Sequence, residues 1–122
     1  MTHTPGFLRL VDDAKSRIHE VTVEDVVRGR QAGESFHLID VREDSEWTAG
    51  RAAGSIHLGK GIIERDIEKT APDRGAKIVL YCGGGFRSAL AADALQQMGY
   101  TNVHSMAGGW RAWTQASLPT ES

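Results

Sequence analysis

The stretch IVLYCGGGFRSAL, residues 78–90, decides the fold of this chain. Its first four residues are apolar or aromatic in succession, which is the pattern of a strand buried on both faces of a sheet. The chain's only cysteine, Cys82, ends that run, and the residues after it are Gly83, Gly84, Gly85, Phe86, Arg87 and Ser88. The stretch therefore predicts a buried strand, a glycine turn and a helix that begins near Arg87.

Short apolar runs alternate with helical patterns on both sides of this stretch. The predicted strands are IHEV (18–21), SFHLIDV (35–41), SIHLG (55–59), AKIVLYC (76–82) and NVHSM (102–106). Helices are predicted over residues 6–17, 23–33, 43–50, 61–70, 87–99 and 108–116. Such alternation predicts an α/β fold with a central five-stranded parallel sheet and helices on both faces.

Two local patterns refine the helices. Thr22, with Asp25 three positions later, predicts a capping box at the start of the second helix. The helix after the glycines carries a predicted buried stripe of Leu90, Ala91, Ala94, Leu95 and Met98.

Composition limits the classes of function. The chain has 122 residues, of which 40% are hydrophobic and 25% charged, as expected for one globular domain. No apolar run approaches the roughly 20 residues that span a membrane, and the N-terminus lacks the apolar core of a secretory signal. We therefore expect a cytoplasmic protein without a membrane partner.

The charge distribution also favours a small ligand. The net charge of −2 argues against nucleic-acid binding. Residues 74–120 nevertheless carry Arg74, Lys77, Arg87 and Arg111 against the single acidic residue Asp93. This local excess of positive charge suits a small anion better than a polyanion, although an accidental distribution is an equal alternative.

The glycine turn has the features of an anion site in front of a nucleophile. Without Cβ atoms, successive backbone N–H groups can converge on a point just beyond the Cys82 sulfur. A helix N-terminus and the Arg87 guanidinium add positive charge there and favour the thiolate. The alternatives are a buried, inert cysteine and a phosphate-binding loop, but the GxxxxGK[ST] pattern of the latter is absent.

Two segments resemble the motifs of a known family. The segment YCGGGFRSALAADALQQMGYTNVHSMAGGWRAW resembles the active-site half of rhodanese-family sulfurtransferases, and FHLIDVREDSEW resembles that family's earlier Asp-Val-Arg motif. The resemblance covers about residues 20–114. It implies a rhodanese-like domain at 20–117, preceded by a helical extension at 1–19 and followed by a tail at 118–122.

The resemblance implies sulfur transfer by double displacement. Cys82 would take a sulfane sulfur from a small donor such as thiosulfate, hold it as a persulfide, and pass it to cyanide or a thiol. Residues 83–88 would form the oxyanion loop, and no metal or organic cofactor is implied. A protein sulfur acceptor, and the choice between monomer and homodimer, stay open.

Loop length separates this activity from a related one. Four residues lie between Cys82 and Arg87, whereas phosphatases and arsenate reductases of related architecture resemble one another in a five-residue loop that holds a tetrahedral oxyanion. The shorter loop favours a single extra sulfur atom. A phosphatase or arsenate reductase, and a rhodanese-like binding module without turnover, are the alternatives.

Three further residues are supporting candidates. The resemblance implies that Asp40, at a strand end, borders the active-site pocket or braces the loop through Arg87, and a helix-capping carboxylate is the alternative. Arg42 and Glu46, four residues apart at a helix start, resemble the family's structural ion pair.

Overall fold

The computed structural model describes residues 3–122. The helices are α1 (Pro5–Lys15), α2 (Val23–Gln31), α3 (Asp44–Ala49), α4 (Ile63–Thr70), α5 (Phe86–Gln97) and α6 (Gly109–Gln115). The strands are β1 (His19–Val21), β2 (His37–Asp40), β3 (Arg51–Ala52), β4 (Ile56–His57), β5 (Ile78–Tyr81), β6 (Val103–Met106) and β7 (Thr120–Glu121). None of the helices in residues 3–122 is long and apolar enough to cross a membrane.

The main sheet has five parallel strands in the order β1-β6-β5-β2-β4, which confirms the predicted architecture. The central strand is β5, and all four of its residues are buried. Continuous burial is what its unbroken apolar run predicts. Because all five strands run in the same direction, the residues that follow β2, β4 and β5 meet at one edge of the sheet.

Two hydrophobic clusters pack on opposite faces of the sheet. One joins β5 to Ile63 and Ile67 of α4 and to Leu95 of α5, and it also contains Cys82. The other joins the sheet to α2 and α6, with Trp113 as its largest side chain. The α2 helix begins at the predicted capping box, in which the Thr22 hydroxyl accepts from the Asp25 N–H and the Asp25 carboxylate accepts from the Thr22 N–H.

The predicted stripe on α5 is only partly correct. Ala91 and Leu95 are buried, whereas Leu90, Ala94 and Met98 are half-buried. The fully buried set also includes Ser88, Ala89 and Ala92. A single stripe is too narrow because α5 packs against the sheet on one side and against α1 on another.

The last residues of the chain form an element that the sequence pattern does not predict. In β7, Thr120 and Glu121 pair in antiparallel fashion with Ala52 and Arg51 of β3. The Trp113 indole N–H also donates to the Pro119 carbonyl at 2.8 Å. These contacts hold the C-terminal segment against β3 and α6.

Candidate active site

Cys82 follows β5 directly, at the sheet edge where ligands bind in this type of fold. Its side chain is buried within the loop of residues 83–88. Gly85 is the N-cap of α5 with φ of 99°, a left-handed conformation that favours glycine. The glycine turn thus bends the chain from the sheet edge into the first turn of α5.

Two backbone N–H groups of the loop point at the sulfur. The Gly85 nitrogen lies 3.1 Å from Cys82 Sγ, and the Ser88 nitrogen lies 3.3 Å from it. Both come from the first turn of α5 or its N-cap, where the helix dipole also favours negative charge. Of the donors expected between Gly83 and Ser88, these two contact the sulfur itself.

A chain of buried hydroxyls continues from the sulfur into the protein. Cys82 Sγ lies 3.5 Å from Ser88 Oγ, which is 2.8 Å from Ser105 Oγ on β6. Ser88 and Ser105 are both fully buried. Sequence reasoning missed Ser105, because a lone serine in a short strand gives no signal until the neighbouring strand is known.

The first turn of α6 holds the outer side of the loop. The backbone N–H of Trp110 donates to the Cys82 carbonyl at 2.7 Å, and the backbone N–H of Arg111 donates to the Gly83 carbonyl at 3.1 Å. A Cβ on Gly109 would lie 2.3 Å from the Cys82 carbonyl oxygen, so only glycine allows this close approach. Because the Cys82 and Gly83 carbonyls are hydrogen-bonded to α6, the loop can direct its N–H groups toward the sulfur.

Arg87 forms an ion pair with Glu46, which corrects the predicted Arg42–Glu46 pair. Arg87 Nη1 lies 2.8 Å from Glu46 Oε1, and Nη2 lies 3.2 Å from Oε2. The hydrogen bond to Arg87 holds the pKa of Glu46 below its ordinary value. The hydrogen bond to Glu46 raises the pKa of Arg87, and the nearby Cys82 sulfur raises it further.

Asp40 does not contact Arg87, and the N-cap of α3 is Glu43, so the expectations that Asp40 braces the loop through Arg87 or caps a helix are wrong, whereas its place at the border of the active-site pocket stays a prediction. Its carboxylate pairs with Arg42, whose Nη2 lies 2.8 Å from Oδ2, and both side chains are buried. Arg42 also donates to the Gly50 carbonyl at 2.6 Å and lies 4.8 Å from the centre of the Trp110 ring. The Asp40–Arg42 ion pair therefore packs against Trp110 in the first turn of α6, which holds the loop. Both residues have a structural role beside the loop.

Phe86, the remaining loop residue, lies against Gly84 and against the N-terminal segment. Its ring atoms would be 3.9 Å from a Cβ on Gly84. The His3 ring packs edge-on at 4.5 Å, and Phe7 of α1 lies 6.3 Å away. The helical extension thus covers an active-site loop residue, a contact that no pattern in the sequence predicts.

Within residues 3–122, no cluster of three or more histidine, cysteine, aspartate or glutamate side chains could hold a metal ion. The geometry instead describes a buried sulfur nucleophile that receives backbone hydrogen bonds beside an arginine. Such a centre can stabilise a thiolate and an anion attached to it.

Comparison with known proteins identifies the class. A sequence model of the rhodanese-like domain matches residues 22–116. The chain belongs to the rhodanese family.

Named relatives agree with this assignment. The chain is 30% identical to the thiosulfate sulfurtransferase GlpE of Vibrio cholerae, over 70% of this chain and 79% of GlpE. It is 29% identical to a sulfurtransferase of Allochromatium vinosum, over 84% of this chain and 94% of that protein. It spans a smaller share, 52%, of the Bacillus subtilis protein YrkF.

A solved structure from Rhodopseudomonas palustris covers nearly the whole chain. The two share 34% identity with a TM-score of 0.84, and the match covers 99% of this chain and 98% of the other. That protein is described as one of unknown function and a possible tyrosine phosphatase.

Proposed function

We propose that this protein is a sulfurtransferase that carries a sulfane sulfur on Cys82 as a persulfide. The Cys82 thiolate attacks the outer sulfur of a donor such as thiosulfate. A new sulfur–sulfur bond forms, the donor's own sulfur–sulfur bond breaks, and sulfite leaves with the electron pair. Cyanide or a thiol then takes the outer sulfur, and the electron pair returns to Cys82 Sγ.

One observation carries the proposal: the Gly85 and Ser88 N–H groups converge on the sulfur itself, at 3.1 and 3.3 Å. They stabilise the thiolate that attacks and that leaves again after transfer. Among the described residues, no protein group accepts a hydrogen bond from four further loop N–H groups, those of Gly83, Gly84, Phe86 and Arg87. They are the proposed donors for the terminal sulfur of the persulfide.

The proposed catalytic unit spans residues 20–117, preceded by the proposed extension at 1–19, whose helix α1 packs against α5. We propose a small-molecule donor, a cyanide or thiol acceptor, and a cytoplasmic location. Cys82 is the proposed catalytic residue. Arg87 is proposed to hold the loop through Glu46, with Asp40 and Arg42 as structural supports.

Phosphatase activity is the second candidate, because the Rhodopseudomonas palustris protein carries that description. The short loop disfavours it. In addition, Arg87 is engaged by both carboxylate oxygens of Glu46 and would have to break this pair to hold a phosphate.

Intact-mass measurement after incubation with thiosulfate tests the proposal. We expect the mass to rise by one sulfur atom, to return to its original value after cyanide is added, and to stay constant in Cys82→Ala. Ser16→Ala, a change at the exposed end of α1, is the matched control and should behave as wild type. No added sulfur from several sulfane donors, together with turnover of p-nitrophenyl phosphate, would replace this proposal with the phosphatase.

A further inference from the structure

The proposed mechanism leaves two buried hydroxyl groups next to the sulfur without a role. Ser88 Oγ, in the first turn of α5, lies 3.5 Å from Cys82 Sγ and 2.8 Å from Ser105 Oγ on β6. Neither serine has exposed surface. A buried hydroxyl is costly unless its hydrogen bonds are made, so the partners of these two groups decide what the pair does.

The strand register fixes the face of the sheet that Ser105 occupies. Ser105 pairs with Leu80 of β5, and paired residues of neighbouring parallel strands point to the same face. Leu80 and Cys82, two positions apart, belong to the same hydrophobic cluster, which packs on α5. Strand β6 therefore carries the Ser105 hydroxyl on the face where the first turn of α5 brings Ser88.

The available partners set the direction of the hydrogen bonds. Within residues 3–122, Ser105 Oγ has no partner except Ser88 Oγ, which in turn has only Ser105 Oγ and the sulfur. Each hydroxyl carries one proton and donates once. If Ser105 donates to Ser88, the Ser88 proton can point at the sulfur and both protons are used. If Ser88 donates to Ser105, the Ser105 proton is buried without an acceptor.

Counting protons shows which form of the sulfur this arrangement favours. A thiol brings a third proton to three atoms that have only two hydrogen bonds between them, so one proton has no acceptor. The thiolate brings none, accepts from Ser88, and leaves both hydroxyls satisfied. The hydroxyl pair therefore favours the same form of the sulfur as the Gly85 and Ser88 N–H groups do.

We propose that Ser105 is a positioning residue that turns the Ser88 hydroxyl toward Cys82 Sγ, as a further donor to the thiolate. Ser105 acts only through Ser88, because no hydrogen bond joins it to the sulfur. Without Ser105, the Ser88 hydroxyl can rotate to a carbonyl of the preceding turn, as serines in helices commonly do. The sulfur then loses this donor.

The same hydroxyl acts again when sulfur is released, and this part of the inference rests on the proposed function. The acceptor forms a bond to the outer sulfur, the sulfur–sulfur bond of the persulfide breaks, and its electron pair returns to Cys82 Sγ. Donation from Ser88 stabilises the thiolate that leaves. Ser105 therefore assists both the attack and the release.

The charged groups around the sulfur are separate from the hydroxyl pair. Arg87 of α5 faces the sulfur and is paired with Glu46 of α3. Asp40, at the end of β2, is paired with Arg42, and Arg111 of α6 is exposed. Serine variants keep all of these groups, so a change in their reactivity reports on the hydroxyls.

Alkylation by iodoacetamide tests the inference without any sulfur donor. In this reaction the thiolate forms a sulfur–carbon bond and iodide leaves with the electron pair. The rate is compared in wild type, Ser105→Ala, Ser88→Ala and the double variant. Ser55→Ala is the matched control, because it removes a half-buried hydroxyl that bonds the Ala52 carbonyl and not the sulfur.

At pH 7 we expect Ser105→Ala to react about threefold to tenfold more slowly than wild type, the size of one hydrogen bond between neutral groups. Ser88→Ala should react about tenfold to a hundredfold more slowly, the size of a hydrogen bond to a charged group. The double variant should match Ser88→Ala. All these losses should disappear in alkaline solution, where every variant carries the thiolate.

A second pair of variants separates the hydroxyl from packing. Threonine and valine have the same shape, but only threonine keeps the hydroxyl. Ser105→Thr should therefore react about threefold to tenfold faster than Ser105→Val at pH 7, even if the added methyl groups slow both. Equal rates for these two would overturn the inference. So would a Ser105→Ala loss that persists in alkaline solution, or one that recurs in full in the Ser88→Ala background.

Sulfur release separates this inference from the proposed function. Transfer from the loaded protein to cyanide should be slower in Ser105→Ala than in wild type at every pH, because the thiolate always leaves. If no form takes up sulfur but alkylation follows the expected pattern, the sulfurtransferase proposal fails and the role of Ser105 in holding the thiolate stands. If sulfur is transferred but the serine variants alkylate like wild type, the inference fails on its own.

Discussion

Replacement of Gly109 by alanine should displace the active-site loop from the first turn of α6, which holds it. A Cβ at this position would lie 2.3 Å from the Cys82 carbonyl oxygen and 3.0 Å from the carbonyl carbon of Gly83. Both neighbours are backbone atoms of the loop, so the α6 turn itself must move by most of an ångström. That movement weakens the hydrogen bonds from Trp110 N–H and Arg111 N–H.

The cost has two parts. Gly109 has φ of 51°, and placing alanine in the left-handed region costs about 1–2 kcal/mol. Each weakened hydrogen bond adds about 1 kcal/mol. We therefore expect the free energy of unfolding, measured in urea, to fall by about 3–4 kcal/mol. Because the nucleophile is displaced, persulfide formation should slow by about 100-fold.

Gly33→Ala is the matched control. Gly33 also has a positive φ, of 76°, but a Cβ there would meet nothing within 4 Å. The free energy of unfolding of Gly33→Ala should fall only by the cost of the left-handed backbone, about 1–2 kcal/mol, and the variant should react with thiosulfate at the wild-type rate. If the two variants unfold at the same urea concentration and take up sulfur equally fast, the role assigned to the glycine turn is wrong.

Three further predictions concern the ionisable groups near the site. Asp40→Asn should lower the free energy of unfolding by about 3–5 kcal/mol, because it leaves Arg42 buried without its charge partner. Asp66→Asn, which removes an exposed ion pair, should lower it far less, and equal losses in the two variants would contradict the argument. Glu46→Gln should lose about 0.5–1 kcal/mol at pH 7 in urea unfolding, since its partner is partly exposed. Because the pKa of Glu46 is lowered in the folded state, this difference should vanish as the pH falls below 4.5, and a difference that persists in acid would count against the pair. Burial raises the pKa of Tyr81 to about 12. An absorbance titration of the folded protein should therefore show one tyrosine that ionises only near that pH, and this step should be absent in Tyr81→Phe. An unchanged titration would refute this.

The sequence predicted the sheet well because its signals are local. The unbroken apolar run of β5 requires burial on both faces, and the Thr22–Asp25 capping box marks a helix start without reference to the rest of the chain. The position of Cys82 at the ligand-binding edge follows from the parallel sheet. These predictions needed only periodicity and strand direction.

The ion pairs were predicted wrongly because they depend on which side chains meet in three dimensions. Spacing of four residues suggested that Arg42 would reach Glu46, but Arg42 precedes α3 and turns back to Asp40 at the strand end. Glu46 is then left to reach across to Arg87, which is 41 positions away. The two-residue strands β3 and β7 are likewise too short to carry a pattern.

The contact between α6 and the loop sets the order in which the site can be completed during folding. Strand β5 is complete at residue 81, and Cys82 follows it. The N–H groups that hold the Cys82 and Gly83 carbonyls, however, belong to residues 110 and 111. Pairing of β1 with β6 likewise joins residue 19 to residue 104 and contributes to slow, non-local folding. A growing chain therefore carries the thiol before the α6 residues that complete its loop have been made, and during that interval the thiol is open to oxidation.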